Sequence, residues 1–270
     1  MAEKIITQCR FLCYNVSMRV KLTFQNPEHK PLLLPVHYNH LLQYLLYKLL
    51  PASLATHLHD RGFPYEKRTF KLFTFSRILN KGSAHSGKLR FGHCFSFLFA
   101  TPKEEIIENL LRGAFCEHRF DLQGQPVVLS AVEVVPPTPL GESLFLRFLS
   151  PVTIYHTTPE KKTLFVYPED SGFERLLLEN ARKKYHLLHG KDPQDLSFSL
   201  RPHRFSPQKN KVVVLFKGTP IEAWTGIFAF RGNPELLAAT YETGLGNKNS
   251  AGFGMWEVWK AEDHQAQEQN

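Results

Sequence analysis

The sequence predicts an α+β fold made of two consecutive βαββαβ units. Strand-type and helix-type patterns follow in the same order in both halves, and a proline-rich stretch, Pro136–Gly141, separates them. Hydrophobic residues make up 43% of the 270 residues, which is ample for packed cores. We therefore predict two domains, 18–137 and 138–260, between an N-terminal extension, 1–17, and a polar tail, 261–270.

The first unit begins with a strand and two helices. Met18–Phe24 alternates apolar and polar residues as a half-buried strand does. The next segment has leucines at positions 41, 42, 45, 46, 49 and 50, the spacing of a buried helical face. Pro51 should end this helix, and SLATHLHDRG predicts a second short helix that stops at Gly62.

The first unit continues with strands at 70–78 and 89–100. Thr101–Glu104 has the pattern of a capping box with proline at the first helical position, and Gly113 is the predicted C-cap of the helix that follows. A strand at 125–135 closes the unit.

The second unit repeats this order. A strand is predicted at 143–155, with a bulge or an edge position at Pro151, and Ser171–Glu174 has the pattern of a second capping box, opening a long helix. Strands at 197–205 and 211–216 flank the turn-forming residues 206–210, which we predict to be the basic tip of a hairpin. The remaining elements are a strand at 224–232, a helix at 235–242 capped by Asn233, and a closing strand at 254–261.

Two such units in a row form a tandem ferredoxin-like arrangement, which is also RRM-like, since RNA-recognition modules share this topology. The fold alone does not specify function, because ferredoxin-like domains carry out many functions.

The charge is concentrated in two segments. The chain has a net charge of +8, and Arg61–Arg90 and Arg182–Lys217 carry +7 each. Clustered cations of this kind are typical of surfaces that bind polyanions, because phosphate contacts and counterion release supply most non-specific affinity.

Several classes of protein are disfavoured. No apolar run approaches the roughly 18 residues that a membrane span requires, and the N-terminus does not resemble a signal peptide. Four cysteines make no disulfide framework, and no metal-ligand spacing of histidine or cysteine occurs. We expect a cytoplasmic protein without a metal or another cofactor.

Residues 244–254, GLGNKNSAGFG, form a glycine-rich loop near the end of the chain. It holds four of the 16 glycines together with one cation, Lys248. Glycine permits positive φ and close approach of a ligand, and successive N–H groups can bind an anion. Composition alone leaves a phosphate-binding loop and a plain turn equally open.

With two ferredoxin-like units and this loop before the last strand, the chain resembles the CRISPR repeat-processing endoribonucleases, which cut precursor CRISPR RNA into guide RNAs. The resemblance covers residues 18–260 and is strongest at 244–255. It implies metal-independent cleavage within a repeat: the ribose 2′-hydroxyl attacks the adjacent phosphorus and leaves 2′,3′-cyclic phosphate and 5′-hydroxyl ends.

The resemblance also implies a catalytic set of Tyr47, His59 and Lys71, from the segments LLYKLL, LATHLHD and FKLFTFS. The motif favours His59 over His57, although a helical wheel does not separate the two. Histidine suits proton transfer near neutral pH, and lysine suits stabilisation of charge on the transition state. His37 and His40 remain alternatives, since the position of the catalytic histidine differs among these enzymes.

The expected RNA-binding residues lie in the glycine-rich loop and in the predicted basic hairpin. They are Gly244, Gly246, Lys248, Asn249, Ser250, Gly252, Gly254, Arg201, Arg204, Lys209 and Lys211. Lys183 and Lys184 are as consistent with the solvated end of a helix as with RNA binding.

The expected partner is CRISPR repeat RNA, both precursor and processed guide. Subunits of a CRISPR effector complex and a second copy of the chain are further candidates. Two other functions stay open: a catalytically silent subunit that binds guide RNA, and a small-molecule enzyme whose glycine-rich loop binds a nucleotide phosphate. The second would leave the two basic segments without a purpose.

Overall fold

The computed structural model describes residues 19–114, 116 and 119–260. The predicted extension 1–17, the tail 261–270 and the first residue of the first predicted strand, Met18, lie outside these residues. Within the described part, no helix combines the length and the apolar character needed to cross a membrane.

The first half contains ten strands and three α-helices among its described residues. In chain order they are β1 (Arg19–Gln25), β2 (Leu33–Pro35), α1 (Asn39–Lys48), α2 (Ala52–Thr56), β3 (Phe63–Tyr65), β4 (Arg68–Phe70), β5 (Thr74–Phe75), β6 (Ser83–His85), β7 (Lys88–Arg90), β8 (Cys94–Ala100), α3 (Glu104–Ala114), β9 (Arg119–Asp121) and β10 (Pro126–Val135). A π-helical turn, His57–Arg61, follows α2 directly. The main sheet has the order β5-β8-β1-β10-β9.

The second half has the same plan. Its elements are β11 (Ser143–Phe148), β12 (Tyr155–Thr157), β13 (Thr163–Phe165), α4 (Ser171–His189), β14 (Phe198–His203), α5 (Pro207–Asn210), β15 (Lys211–Phe216), β16 (Thr219–Trp224), β17 (Ile227–Gly232), α6 (Pro234–Thr243) and β18 (Trp256–Val258). The main sheet has the order β14-β17-β11-β18, so its first strand again lies between the third and the last. All neighbouring strands in the two main sheets are antiparallel, which confirms the tandem ferredoxin-like fold.

The leucine-rich helix packs as the sequence predicts. Leu41, Leu42, Leu45 and Leu46 of α1 are buried in a core that also contains aromatic residues of β1 and β8. The rings of Phe24 and Phe97, for example, stack at 5.9 Å. Helix α1 ends at Lys48, before Pro51, and the following helical segment ends at Gly62, as expected.

Three predicted strands are shorter than the sequence suggests. The segment 70–78 contributes only Thr74–Phe75 to the main sheet, because Arg68–Phe70 pairs with Phe63–Tyr65 in a separate hairpin. The segment 89–100 divides in the same way, since β7 belongs to a small sheet with β2 and β6. The segment 143–155 leaves its sheet after Phe148.

Neither predicted capping box forms. Helix α3 begins at Glu104, and the buried hydroxyl of Thr101 donates to Leu72 O at 2.8 Å. Asp170, not Ser171, is the N-cap of α4, and the Glu174 carboxylate accepts from Ser199 Oγ and Leu200 N, both at 2.8 Å. Thr101 Oγ1 still accepts a local bond from Lys103 N at 3.2 Å, one residue short of the capping-box partner, whereas the Glu174 side chain bonds only to β14.

Glycine 113 does not end its helix. It lies inside α3, and a Cβ at this position would collide with the carbonyl oxygen of Leu49. The glycine therefore permits close packing of α3 on the end of α1. The predicted cap at Asn233 is confirmed, because its Oδ1 accepts from Glu235 N at 2.8 Å.

The predicted basic hairpin is wrong. Strand β14 pairs with β17 in the main sheet, whereas β15 pairs with β16 in a separate hairpin. Residues 207–210, between β14 and β15, form the short helix α5. The real hairpin turn is Lys217–Gly218, one strand later in the chain. The sequence pattern placed Trp224 at the start of a strand at 224–232 and predicted no strand at 219–223, so β16 was not expected.

A buried arginine joins the two halves. Arg19 of β1 is 2% exposed, and its Nη1 and Nη2 donate to Trp256 O at 2.9 Å and to Tyr241 O at 2.8 Å. The guanidinium carbon also lies 3.8 Å from the centre of the Tyr241 ring. The two sheets are thus held against each other by contacts that neither half can make alone.

Candidate active site and nucleic-acid interface

Tyr47 and His59 come together at the end of the first helical segment. Tyr47 lies in the last turn of α1, and the break at Pro51 turns the chain back so that His59 faces it. The two ring centres are 6.0 Å apart with an edge-on geometry. The His57 ring instead faces Phe63, at 6.2 Å. The fold therefore distinguishes the two histidines that a helical wheel does not.

The two rings line an open groove of about 540 Å³, which we name the histidine groove. Its lining residues are His40, Leu41, Gln43, Tyr44, Tyr47, Ala55, Thr56, His59, Asp60 and Lys217. His40 thus shares the groove with His59, whereas His37 is not among its lining residues.

Two neighbours define the chemistry of the groove. Asp60 Oδ1 lies 2.7 Å from His59 Nδ1, which favours a proton on Nδ1 and leaves Nε2 to exchange protons. Burial, with a smaller contribution from the Asp60 charge, raises the pKa of Tyr47 to about 12. The phenol therefore stays protonated at neutral pH and acts as a hydrogen-bond donor.

Lys71 lies close to His59 but is not among the residues that line the histidine groove. Its Nζ donates to the backbone carbonyl of His59 at 2.7 Å. Burial lowers the pKa of Lys71, and the charge of Asp60 partly offsets this effect. In this position the lysine supports the turn that carries His59, and its side chain lines a different groove.

That second groove, the interdomain cleft, lies between residues 68–73 of the first half and residues 155–250 of the second. It has a volume of about 400 Å³. Its cations are Arg68, Lys71, Lys184 and Lys248. The cleft also contains Tyr155, whose ring centre lies 6.0 Å from Lys248 Nζ. A positively charged groove with a partly exposed aromatic ring is the kind of surface that binds a nucleic-acid strand.

The four glycines of the loop are buried and have φ values from 73° to 81°. A Cβ on Gly246 would collide with Thr153 O, and one on Gly254 would collide with Leu245 O. They permit close packing of the protein on itself, and their predicted role in the approach of RNA stays a prediction. The side-chain amide of Asn249 also bonds within the protein, because its Nδ2 donates to Leu245 O and Phe253 O.

Lys184 has a role that the sequence did not predict. It is 1% exposed, and its Nζ donates to Gly244 O at 2.6 Å, Gly246 O at 3.1 Å and Asn249 Oδ1 at 2.7 Å. These three acceptors use all three N–H groups of an ammonium. Burial lowers the pKa of Lys184 well below its usual range. Lys184 is therefore a buried residue that fixes the glycine-rich loop by three hydrogen bonds, and it is not part of a solvent-exposed helix end.

Replacing Lys184 by Met should destabilise the protein by about 2–4 kcal/mol, because three buried oxygens lose their donor. The free energy of unfolding in urea measures this effect. Lys183→Met is the matched control, since Lys183 is partly exposed, and it should change stability by less than about 0.5 kcal/mol. Equal effects of the two variants would contradict the role of Lys184.

The predicted hairpin cations lie elsewhere. None of Arg201, Arg204, Lys209 and Lys211 is among the lining residues of the histidine groove or the interdomain cleft. Lys211 forms an ion pair with Glu222 at 2.7 Å. Within the described residues, no three histidine, cysteine or acidic side chains converge as a metal site requires.

Comparison with known proteins gives consistent matches along the chain. The family model for the N-terminal part of CRISPR-associated protein Cas6 matches residues 33–133, and the model for its C-terminal part matches residues 135–258. A CRISPR-associated endoribonuclease Cas6 from Pyrococcus furiosus is 31% identical, with 86% of this chain and 87% of the relative covered. Another, from Methanocaldococcus jannaschii, is 26% identical, with 88% and 92% covered.

Solved structures show the same fold. The product of a Cas6-related gene from Pyrococcus furiosus superposes with a TM-score of 0.78 at 21% identity, covering 91% of this chain and all of the other. A protein described as a RAMP protein binding different RNA substrates gives a TM-score of 0.74 at 21% identity, covering 90% and 100%. Family models, relatives and fold agree, and the chain belongs to the CRISPR-associated Cas6 family.

Proposed function

We propose that the chain is a metal-independent endoribonuclease that cuts precursor CRISPR RNA within its repeats. One observation carries this proposal: His59 lines a groove, with Asp60 at 2.7 Å from its Nδ1 and the ring of the protonated Tyr47 in edge-on contact at 6.0 Å. Family membership and relatives named as CRISPR-associated endoribonucleases support it.

In the proposed reaction a bond forms between the 2′-oxygen and the phosphorus while the bond from phosphorus to the 5′-oxygen breaks. The 2′-hydroxyl loses a proton and the departing 5′-oxygen gains one, so the products carry a 2′,3′-cyclic phosphate and a 5′-hydroxyl. His59 Nε2 exchanges a proton with one of these oxygens. Tyr47 donates a hydrogen bond to the phosphate, because a phenol with a pKa of about 12 is not a base at neutral pH.

The rest of the RNA would follow the interdomain cleft. Arg68 and Lys248 place positive charge on its two sides, and Tyr155 offers a ring on which a base can stack. Lys248 and Ser250 are the loop residues whose side chains we expect to contact RNA, since the glycines and Asn249 are used within the protein.

A catalytically silent RNA-binding subunit is the second candidate. The position of Lys71 favours it, because the Nζ that should face the phosphate donates to the backbone of His59 instead. Such a subunit would bind repeat RNA without cutting it. Effector-complex subunits and a second copy of the chain also remain predicted partners.

The test uses RNA that spans the CRISPR repeat of the same genome, incubated with the protein in excess EDTA. We expect a single cut per repeat, with a 2′,3′-cyclic phosphate detected by mass spectrometry and a 5′ end that a polynucleotide kinase can phosphorylate. Loss of cutting in EDTA, or a 3′-hydroxyl product, would contradict the mechanism. Tight binding without any cutting would favour the silent subunit.

A further inference from the structure

The turn of the β15–β16 hairpin, which the sequence did not predict, has an unusual residue. Strands β15 and β16 pair up to Phe216 and Thr219, so that Lys217 and Gly218 form a two-residue turn with φ values of 49° and 82°. Positive φ at both positions is the mark of a type I′ turn, whose first position strongly favours Asn, Asp or Gly. A lysine in this conformation costs on the order of 1 kcal/mol.

The hairpin is fixed to the glycine-rich loop. Val214, Ile221 and Ala223 of the hairpin form one buried cluster with Ala251 and Phe253 of the loop. The loop in turn is bonded to α1, because Gln43 Nε2 donates to Ser250 O at 2.6 Å. This chain of contacts holds the tip of the hairpin beside the helix that carries Tyr47.

Lys217 consequently reaches the histidine groove from the second half of the protein. Every other lining residue of the groove comes from positions 40–60. Lys217 is exposed, and it is the one lysine or arginine among those lining residues. Lys217 Nζ lies 5.8 Å from the centre of the neighbouring Phe216 ring, and rotation of this exposed side chain can bring the ammonium to a phosphate in the groove. Lys71 is not among the lining residues of this groove.

We propose that Lys217 contacts the phosphate being cleaved and stabilises the negative charge that builds up on its non-bridging oxygens. The proposal rests on the proposed ribonuclease function. It assigns to Lys217 the charge role that the resemblance gave to Lys71, while Lys71 positions His59 through its backbone carbonyl. The ammonium keeps its proton throughout, so the two proton transfers are unchanged.

Lys217→Asn tests this role without disturbing the fold, because asparagine is a preferred residue at this turn position. The thermal unfolding midpoint should stay equal or rise. The single-turnover rate of repeat cleavage should fall by roughly 10-fold to 10³-fold, as removal of one charge-stabilising donor typically does. The dissociation constant for the uncut 2′-deoxy repeat should change by less than about 3-fold, because one phosphate contact among several is lost.

Lys161→Asn is the matched control. Lys161 is also exposed, also has a positive φ of 61° in a hairpin turn, and is not a lining residue of either groove. This variant should cleave at the wild-type rate. Lys217→Arg, which keeps the charge, should recover part of the lost rate.

The outcomes separate this proposal from the proposed function. If the wild type cuts the repeat and Lys217→Asn cuts equally fast, the role of Lys217 is overturned and the ribonuclease stands. An equal loss in Lys161→Asn would also overturn it, since the effect would then be general electrostatics. If the wild type binds the repeat but never cuts it, the proposed function fails and the role of Lys217 fails with it.

Discussion

A repeat RNA with one 2′-deoxy nucleotide immediately 5′ of the scissile phosphate should remain uncut and still bind. The substitution removes the proposed nucleophile and leaves every phosphate in place. Since phosphate contacts supply most of the affinity, the dissociation constant should change by less than about 2-fold. Gel-shift titration and single-turnover cleavage of the same RNA measure the two quantities.

A deoxy substitution one nucleotide further along is the control for this experiment, and this RNA should be cut at the normal rate. Cleavage of the first substrate at an undiminished rate would mean that water or a metal-bound hydroxide is the nucleophile. The proposed mechanism would then be wrong, although the RNA-binding interface would be unaffected.

His59→Ala should lower the single-turnover rate by about 10² to 10⁴, the usual effect of removing one acid–base group. RNA affinity should change little, because the side chain is exposed and its contacts within the protein are to Asp60 and the ring of Tyr47. The hydrogen bond from Lys71 Nζ should survive in this variant, because its acceptor is the backbone carbonyl of residue 59.

His57→Ala is the matched control, because this histidine lies two residues away and faces Phe63 instead of the groove. It should cleave within a few-fold of the wild-type rate. If His59→Ala retains full activity and His40→Ala does not, the groove is the active site but His40 is its catalytic histidine. The fold is compatible with that outcome, since both His40 and His59 line the groove.

Patterns within one segment predicted the fold well. The leucine spacing of α1, the break at Pro51 and the cap at Asn233 are local features, and all three are confirmed. The second capping box failed because Glu174 bonds to Ser199 and Leu200, far along the chain, and Thr101 adds a distant bond to Leu72 O to its local bond from Lys103 N. Local sequence does not encode such partners.

The same distinction applies to the site. The family resemblance implied Tyr47, His59 and Lys71, which the structure brings together, but only the fold shows that Lys71 bonds to a backbone carbonyl. The burial of Lys184 had a detectable signal, because Leu177, Ala181 and Lys184 recur at helical spacing on the buried face of α4. The position of Lys217 at the histidine groove had no signal in the sequence, because it depends on the pairing of β15 with β16.

The glycine-rich loop belongs by chain order to the second half, yet many of its neighbours belong to the first. Asn39 donates to Ala251 O at 3.0 Å, and Thr74 Oγ1 donates to Phe253 O at 3.1 Å. Two halves of equal topology are therefore not interchangeable modules. During evolution, a change on either side of this seam exposes unmatched polar groups on the other. A substitution in α1 therefore affects the loop of the other half, and a substitution in the loop affects α1.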